Sequence, residues 1–600
     1  MAVFDFLYPA KPFPISAASG IVSFTFDDFP RSALARGGDI LGRHGSAGTY
    51  YVAGRLTGEY ENGQPCHSEA DIALALRDGH EIGSHGYAHI RYAGLSAEQI
   101  EADLAGNERF LAGILPAPPL SFAYPFGARS TRAKSVLAER LGTARGISAG
   151  VNAGVCDLAD LRANRIYADT TEHQLGALIE HAASTRSWLI FYTHDVSETP
   201  TRWGTTPALF EFAVKESIAS GCRPLPIRKA FDAILRESMV IPRNGKSMGG
   251  RQTVKSPSSG ADDSDPVVIA IVGYKNAGDI FQCLAALTRS THKNFAISIC
   301  ENGGEAACAA LIEALAGLVQ FDDSPPANID DRVDGARAGR LRAGGQPVRI
   351  YRARDNIGFA AGINVCIREI GPEPWSALWM LNPDTEPEPE ALASLIECAR
   401  KGSYGIVGSR LVLKATDRIQ MYGARWRPLM ARGLNIGMNE PADAVPDGEG
   451  IAHSINYVSG ASLFATRGCV ESIGLMDERY FLYCEEVDWC FRRGYQRLGY
   501  AHNAVVYHSH GTTTGWSTSR KDRSSLSVYL DERNKLLFSR RFYPGIYPLI
   551  LVITCVLTAQ YLAHGSVTNF LAALRGWFAG ARGEEGPPVR LARRNEARSA

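Results

Sequence analysis

Six hundred residues, 45% of them hydrophobic, are enough for more than one packed core. Lysine plus arginine and aspartate plus glutamate both total 63, so no global field draws in nucleic acid, which is excluded as an expected partner. The 12 cysteines form no C-x-x-C pair, which argues against a zinc ribbon, a redox motif or a dense disulfide framework.

The opening residues, MAVFDFLYPAKPFPISAASG, lack a basic start and a continuous apolar run, so no secretory signal is expected and the chain is expected in the cytoplasm. IVSFTF (21–26), GTYYVAG (48–54) and WLIFYTH (188–194) read as strands, with helix-like segments such as 98–115 between them. Alternating β and α predicts an α/β layer or barrel-like domain over residues 1–241. From 242 to 266 Gly, Ser and Pro replace large apolar residues, the mark of a flexible linker. VVIAIVGY (267–274), a helical stretch and AISIC (296–300) then predict βαβ units and a Rossmann-like sheet over 267–542. Within it, 322–347 holds few core-forming residues and reads as a mobile loop. An apolar run at 547–563, with Arg540 and Arg541 before it and NFLAALRGWFAGARG after it, makes 543–600 an apolar helical tail. Its basic and aromatic flanks fit the cytoplasmic face of a membrane. The alternative is a hairpin buried on the preceding domain or across a dimer interface.

In the first region, TFDD places Asp27 and Asp28 at the carboxyl end of a strand, where successive side chains point opposite ways and can take different roles. SHGYAH supplies His85 and His89, four apart, which a helical turn would bring to one side. With one aspartate they would make a His/His/Asp metal site with open positions. FAYPFG (122–127) is a turn with an aromatic wall, and FYTHD ends the last strong strand at His194. In this order the fragments resemble the polysaccharide deacetylase family with NodB homology, also called carbohydrate esterase family four, over about residues 20–235. The resemblance implies a general base at Asp27, a divalent metal, Zn²⁺ favoured, on Asp28, His85 and His89, and a general acid at His194. Gly86 stands where the family usually has Ser or Thr, FAYPFG lacks the arginine often seen in the third motif, and the tryptophan-containing fourth motif is not recognisable. Asp157 and Arg165 are further candidates for supporting roles, each with a surface charge as the plainer reading.

The second region, from about 267 to 542, resembles family two glycosyltransferases of the rhamnosyltransferase-like branch with a GT-A fold. IAIVGYKN, with Tyr274, looks like the first nucleotide-binding strand and loop. ICENGG puts Glu301 and Asn302 where the family usually has an aspartate, which implies uracil or thymine binding and a UDP- or dTDP-sugar donor. RDNIGFAAGIN offers Asp355 and Asn356 as donor contacts, with Gly358 and Gly362 allowing close backbone approach. LNPDTEPEP ends a strand at Asn382 and Asp384, the family's variant of an Asp-x-Asp motif. The resemblance implies Mg²⁺ or Mn²⁺ on Asp384, with His508 or His510 completing the site or touching phosphate. The stretch 457–495 implies Gly460 and Ala461 beside the donor sugar, Asp477 near the acceptor, and Glu486, with Glu485 as runner-up, as general base of an inverting transfer. A glycan or lipid-linked glycan acceptor follows.

Together these features lead us to expect a bifunctional enzyme of bacterial surface polysaccharide biosynthesis. The alternatives are a transferase with an inactive, glycan-binding first domain, or a noncatalytic membrane scaffold.

Overall fold

The computed structural model describes residues 9–238, 265–323, 330–370, 374–509 and 520–588. Most of the expected linker 242–266, together with His510, lies outside the described residues. The chain divides into two compact units, Met1–Lys246 and Ser247–Ala600, a boundary that falls inside that linker.

The first unit is built on a curled parallel sheet of eight strands. In chain order they are β1 (Ile21–Phe26), β2 (Thr49–Val52), β3 (Glu81–Ser84), β4 (Ser121–Ala123), β5 (Thr143–Arg145), β6 (Asn164–Arg165), β7 (Trp188–Thr193) and β8 (Arg223–Pro224). Their spatial order is β6-β7-β1-β2-β3-β4-β5, with β8 also paired to β1. Every residue of β1, β2 and β7 is buried, as expected of parallel strands covered on both faces. Phe24, Phe26, Phe191 and Phe210 pack ring to ring beneath them. Helices begin where sequence signals say they should: Ser96 and Gln99 form a capping box that starts Ala97–Ala112. The carboxyl ends of β1, β3 and β7 carry Asp27, His85 and His194 respectively, so all three emerge on one edge of the sheet.

The second unit holds an eleven-stranded mixed sheet. Its strands are β9 (Val267–Gly273), β10 (Phe295–Glu301), β11 (Val319–Phe321), β12 (Val333–Leu341), β13 (Pro347–Ala353), β14 (Ala377–Leu381), β15 (Thr385–Pro387), β16 (Tyr404–Leu413), β17 (Arg418–Met421), β18 (Ser462–Thr466) and β19 (Arg497–His508). They lie in the order β11-β12-β13-β10-β9-β14-β18-β16-β19-β15, with β17 beside β16. The parallel centre β13-β10-β9-β14 is the expected Rossmann-like arrangement. Gly273 pairs with Glu301, Ile271 with Leu381 and Leu381 with Ser462, so Tyr274, Glu301, Asn382 and Gly460 cluster at one edge, where open α/β sheets bind ligands.

One expectation is corrected here. Residues 333–341 of the supposed mobile loop form β12, antiparallel to β13 and β11, while 324–329 lie outside the described residues. A strand near the sheet edge keeps one face in water, so Val333 and Leu341 suffice as buried anchors and the arginines are tolerated. The apolar helical tail, described as far as residue 588, lies in the second compact unit. Helix α1 (Ser525–Phe542) packs against α3 (Val567–Arg582), and α2 (Tyr547–Thr558) lies between them in sequence. Glycine makes the packing close: a Cβ on Gly576 would stand 2.3 Å from the Tyr529 carbonyl oxygen, and one on Gly580 2.5 Å from that of Arg533. The opposite faces stay open, with Leu549, Val552 and Val556 of α2 and Val567, Leu571 and Phe578 of α3 all exposed. Pro544–Ala563 is long and apolar enough to cross a membrane by length and composition.

Candidate active sites

In the first unit one oxygen of Asp28, Oδ1, stands 3.4 Å from His85 Nε2 and 3.0 Å from His89 Nε2. His194 Nε2 lies 3.7 Å from the other oxygen, Oδ2. Asp28 Oδ1 is buried and makes no hydrogen bond, although two imidazole nitrogens face it. His85 Nδ1 is 2.8 Å from the Ala123 carbonyl oxygen, which can only accept, so that nitrogen carries a proton and Nε2 is the nitrogen that faces Asp28. A buried carboxylate and two imidazoles with their ligand atoms within 4.8 Å of one another are a donor set that fits a divalent cation. Burial opposes ionisation of Asp28, but the two imidazoles hold its carboxyl well below the usual range. Burial likewise opposes charge on His89, yet Asp28 raises it.

The histidines do not share a helical turn. His85 follows β3, and the chain then runs as a loop in which His89 has φ 51°. Asp103 holds that loop, accepting the backbone N–H groups of Tyr87 and Ala88 at 3.0 and 2.8 Å. Gly86 is required there: its φ is 70°, and a Cβ would stand 2.4 Å from Asp103 Oδ2. Phe126 is the expected aromatic wall, its ring centroid 4.6 Å from that of His89.

Sequence reasoning missed two partners. Arg145, at the end of β5, forms a buried ion pair with Asp27 and lies between the rings of Tyr51 and Tyr192, 5.0 Å from each centroid. The sequence gives little signal, because Arg145 ends a strand of only three residues, Thr-Ala-Arg, with no apolar run to mark it. The Trp203 carbonyl accepts the backbone N–H of His194 at 3.2 Å, and its oxygen is 3.3 Å from His194 Nδ1. Asp157 pairs with Lys134, and Arg165 with Asp169 at the surface, so neither joins the site.

In the second unit Glu301 is 1% exposed, and its Oε1 accepts the N–H groups of Lys275 and Gly303 at 3.0 and 2.7 Å. Its Oε2 has no hydrogen-bond partner, which leaves a buried acceptor for a ligand N–H; burial pushes the carboxyl up. Tyr274 is exposed beside it. Asn302 has other work than donor contact: its Nδ2 donates to the Gly358 carbonyl at 3.0 Å. A Cβ on Gly358 would meet the Phe481 carbonyl oxygen at 2.4 Å, and one on Gly362 would meet Val272 at 2.8 Å, so on that side each glycine admits a close protein neighbour. Asp355 and Asn356 are exposed, and Asn356 Oδ1 accepts the Gly358 N–H at 3.1 Å.

Asn382 accepts the Thr385 hydroxyl on its carbonyl at 2.6 Å, a turn that presents Asp384. Asp384 Oδ1 stands 3.2 Å from His508 Nε2, while His508 Nδ1 is 2.8 Å from Gln420 Oε1, a carbonyl-type acceptor that fixes the ring. A carboxylate and an imidazole turned toward one another fit part of a cation site. Asp477 is 2% exposed and engaged by Arg479 and Arg541, at 2.6 and 2.7 Å on its Oδ2. Burial works against ionisation, yet the arginines hold it at about 2 and take up its carboxylate oxygens. Asp488 is engaged in the same way by Arg492 and Arg541.

Glu485 and Glu486 open helix 485–491. Glu485 is buried with Oε2 unpartnered, and burial and then the charge of Glu486 push its carboxyl well above the usual range. Glu486 is half-buried, pushed up to about 7 by burial, and faces Gly460, whose Cβ would lie 3.5 Å from that of Glu486.

Residues 16–144 match the family model described as polysaccharide deacetylase. The chain is similar to the low-salt glycan biosynthesis hexosyltransferase Agl10 of Haloferax volcanii, 23% identical over 250 residues that cover 39% of this chain and 76% of that protein. It is also similar to the N-acetylglucosaminyl-diphospho-decaprenol L-rhamnosyltransferase of Mycobacterium tuberculosis, 24% identical over 274 residues, 42% of this chain and 78% of that one. Among solved structures, a family 4 acetyl xylan esterase from Clostridium thermocellum in complex with a cobalt ion aligns at 23% identity and a TM-score of 0.27, covering 35% of this chain and 90% of that one. The chain is therefore an enzyme that joins a polysaccharide deacetylase domain to a region homologous to glycosyltransferases.

Proposed function

We propose that the chain carries out metal-dependent deacetylation of a glycan and inverting sugar transfer from a UDP- or dTDP-sugar to a glycan or lipid-linked glycan, at the cytoplasmic face of a membrane. The observation that carries the first activity is the pairing of an arginine-held carboxylate, Asp27, with the Asp28, His85 and His89 cluster. A divalent cation on that cluster, zinc favoured, would polarise the acetyl carbonyl and ease ionisation of water. Asp27 then takes the proton of the attacking water, and His194, oriented by the Trp203 carbonyl, gives a proton to the departing group. The arginine-held carboxylate beside a metal-fitting cluster supports activity over the inert, glycan-binding reading.

For transfer, Glu301 Oε2 suits the N–H of a uracil or thymine ring, and Glu486 is the base that takes the acceptor hydroxyl's proton. Mg²⁺ or Mn²⁺ on Asp384 and His508 would neutralise the charge of the leaving nucleoside diphosphate. The open apolar faces of α2 and α3, flanked by Arg540, Arg575 and Arg582, support residence at an anionic lipid surface. The test is the purified full-length protein against a panel of nucleotide sugars, read as nucleoside diphosphate release, alongside acetate release from N-acetylated oligosaccharides. No release of either product would overturn the reading.

A further inference from the structure

The turn that leads into Glu485 and Glu486 holds a backbone shape that its residues do not favour. Phe481, Tyr483 and Cys484 have φ of 66°, 75° and 72°. Bulky L-residues stay in this region only where their surroundings force them, and such strain gathers at functional sites.

Two buried side chains of α1 supply the force. Asn534, 0% exposed, shares its amide hydrogens among the carbonyl oxygens of Tyr480, Leu482 and Tyr483 at 2.8, 2.7 and 3.0 Å. Arg533, 1% exposed, donates Nη2 to the same Tyr480 oxygen at 3.0 Å and Nε to Asn534 Oδ1 at 2.9 Å. A side chain that merely filled space at this depth would be apolar, since a buried amide is tolerated only when its hydrogen bonds are made. The carbonyl left between these anchors, that of Phe481, accepts the N–H of Phe359 at 2.7 Å. Phe359 follows Gly358, which is held in turn by Asn302. The turn is thus a joint between the loop after β13 and the two carboxylates.

We infer that Arg533 and Asn534 are positioning residues for sugar transfer: they hold the 480–484 turn in its left-handed shape and so set where Glu485 and Glu486 stand relative to the Gly358 loop. The inference rests on the reading of Glu486 as the base. Neither residue touches the reacting atoms.

The experiment uses the full-length protein, wild type, Asn534→Ala and Asn534→Ala/Cys484→Gly, and measures transfer kcat, donor Kd and amide hydrogen exchange at 481–486. Asn534→Ala should lower kcat about 10- to 100-fold, as expected for a displaced catalytic group, with donor Kd within about twofold. Exchange across the turn should quicken. Adding Cys484→Gly should restore part of kcat, because glycine takes this φ without strain and replaces the missing hold. Wild-type kcat and exchange in Asn534→Ala would overturn the inference, and so would a loss of kcat that glycine does not relieve. If the wild-type protein transfers no sugar, the reading of Glu486 fails on its own account; exchange still decides the anchoring, which stands if Asn534→Ala quickens it and falls if it does not.

Discussion

Arg145 and Asp27 form a buried ion pair although three strands, β2, β3 and β4, separate the strands that carry them. In a flat sheet at about 4.8 Å per strand those ends would lie roughly 19 Å apart. The pair exists because the sheet curls, and it places a fixed cation against the carboxylate assigned as base. Arg145→Lys keeps the charge but loses the planar fork. It should lower the rate of acetate release about 100-fold with metal content unchanged. Arg145→Ala should in addition destabilise the unit by about 3–5 kcal/mol, because Asp27 is left buried and unpaired. Wild-type acetate release by Arg145→Lys would remove the arginine from the mechanism.

Metal analysis tests the Asp28, His85 and His89 cluster. The protein as purified should hold a divalent ion, zinc first, and His85→Ala/His89→Ala should hold none at that site. Equal content in both would sink the assignment. In metal-free protein Asp28 is depressed and His89 raised, so the proton that competes with the cation sits on His89. Metal affinity should therefore rise with pH as His89 gives up that proton, and fall again in acid. Calorimetric titration with Zn²⁺ across pH measures this.

Glu486→Gln should cut sugar transfer by about 10² to 10⁴ while donor affinity stays close to that of the wild type. The carboxyl lies at about 7 and acts in its ionised form, so kcat should climb with pH through this region and flatten above it. Glu485 is pushed well above the usual carboxylate range by burial and by Glu486, and it is more deeply buried than Glu486, which leaves Glu486 the better placed to meet an acceptor. Turnover retained by Glu486→Gln but lost by Glu485→Gln would exchange the two roles.

Membrane residence is best tested without truncation. Removing everything after Pro544 takes away α3, whose Gly576 and Gly580 seat it on α1, and should leave an aggregating protein. Val552→Asp/Val556→Asp/Leu571→Asp alters only exposed positions and should keep the fold. It should abolish cosedimentation with vesicles containing anionic lipid, where the wild-type protein pellets. Equal pelleting would mean that these faces meet something other than lipid.

Apolar runs that end in Asp27, His194 and Glu301 announce buried strands with polar residues at their carboxyl ends, and in a parallel sheet such ends share one edge. That rule needs only local pattern, so the two α/β units and these strand-end side chains were legible in the sequence itself. Tertiary structure alone decided which side chains meet. Arg145 reaches Asp27 across 118 residues because of sheet curl. Gly358 and Gly362 each admit a close protein neighbour, Phe481 and Val272 respectively. His85 and His89 suggest a helix by spacing, yet converge through a loop that Asp103 holds. The strained 480–484 turn exists because Asn534 on a distant helix compensates it, and the tail joins the second unit because small residues let α3 approach α1. In each case the deciding contact is long-range, and its energy depends on a geometry that no local run of residues encodes.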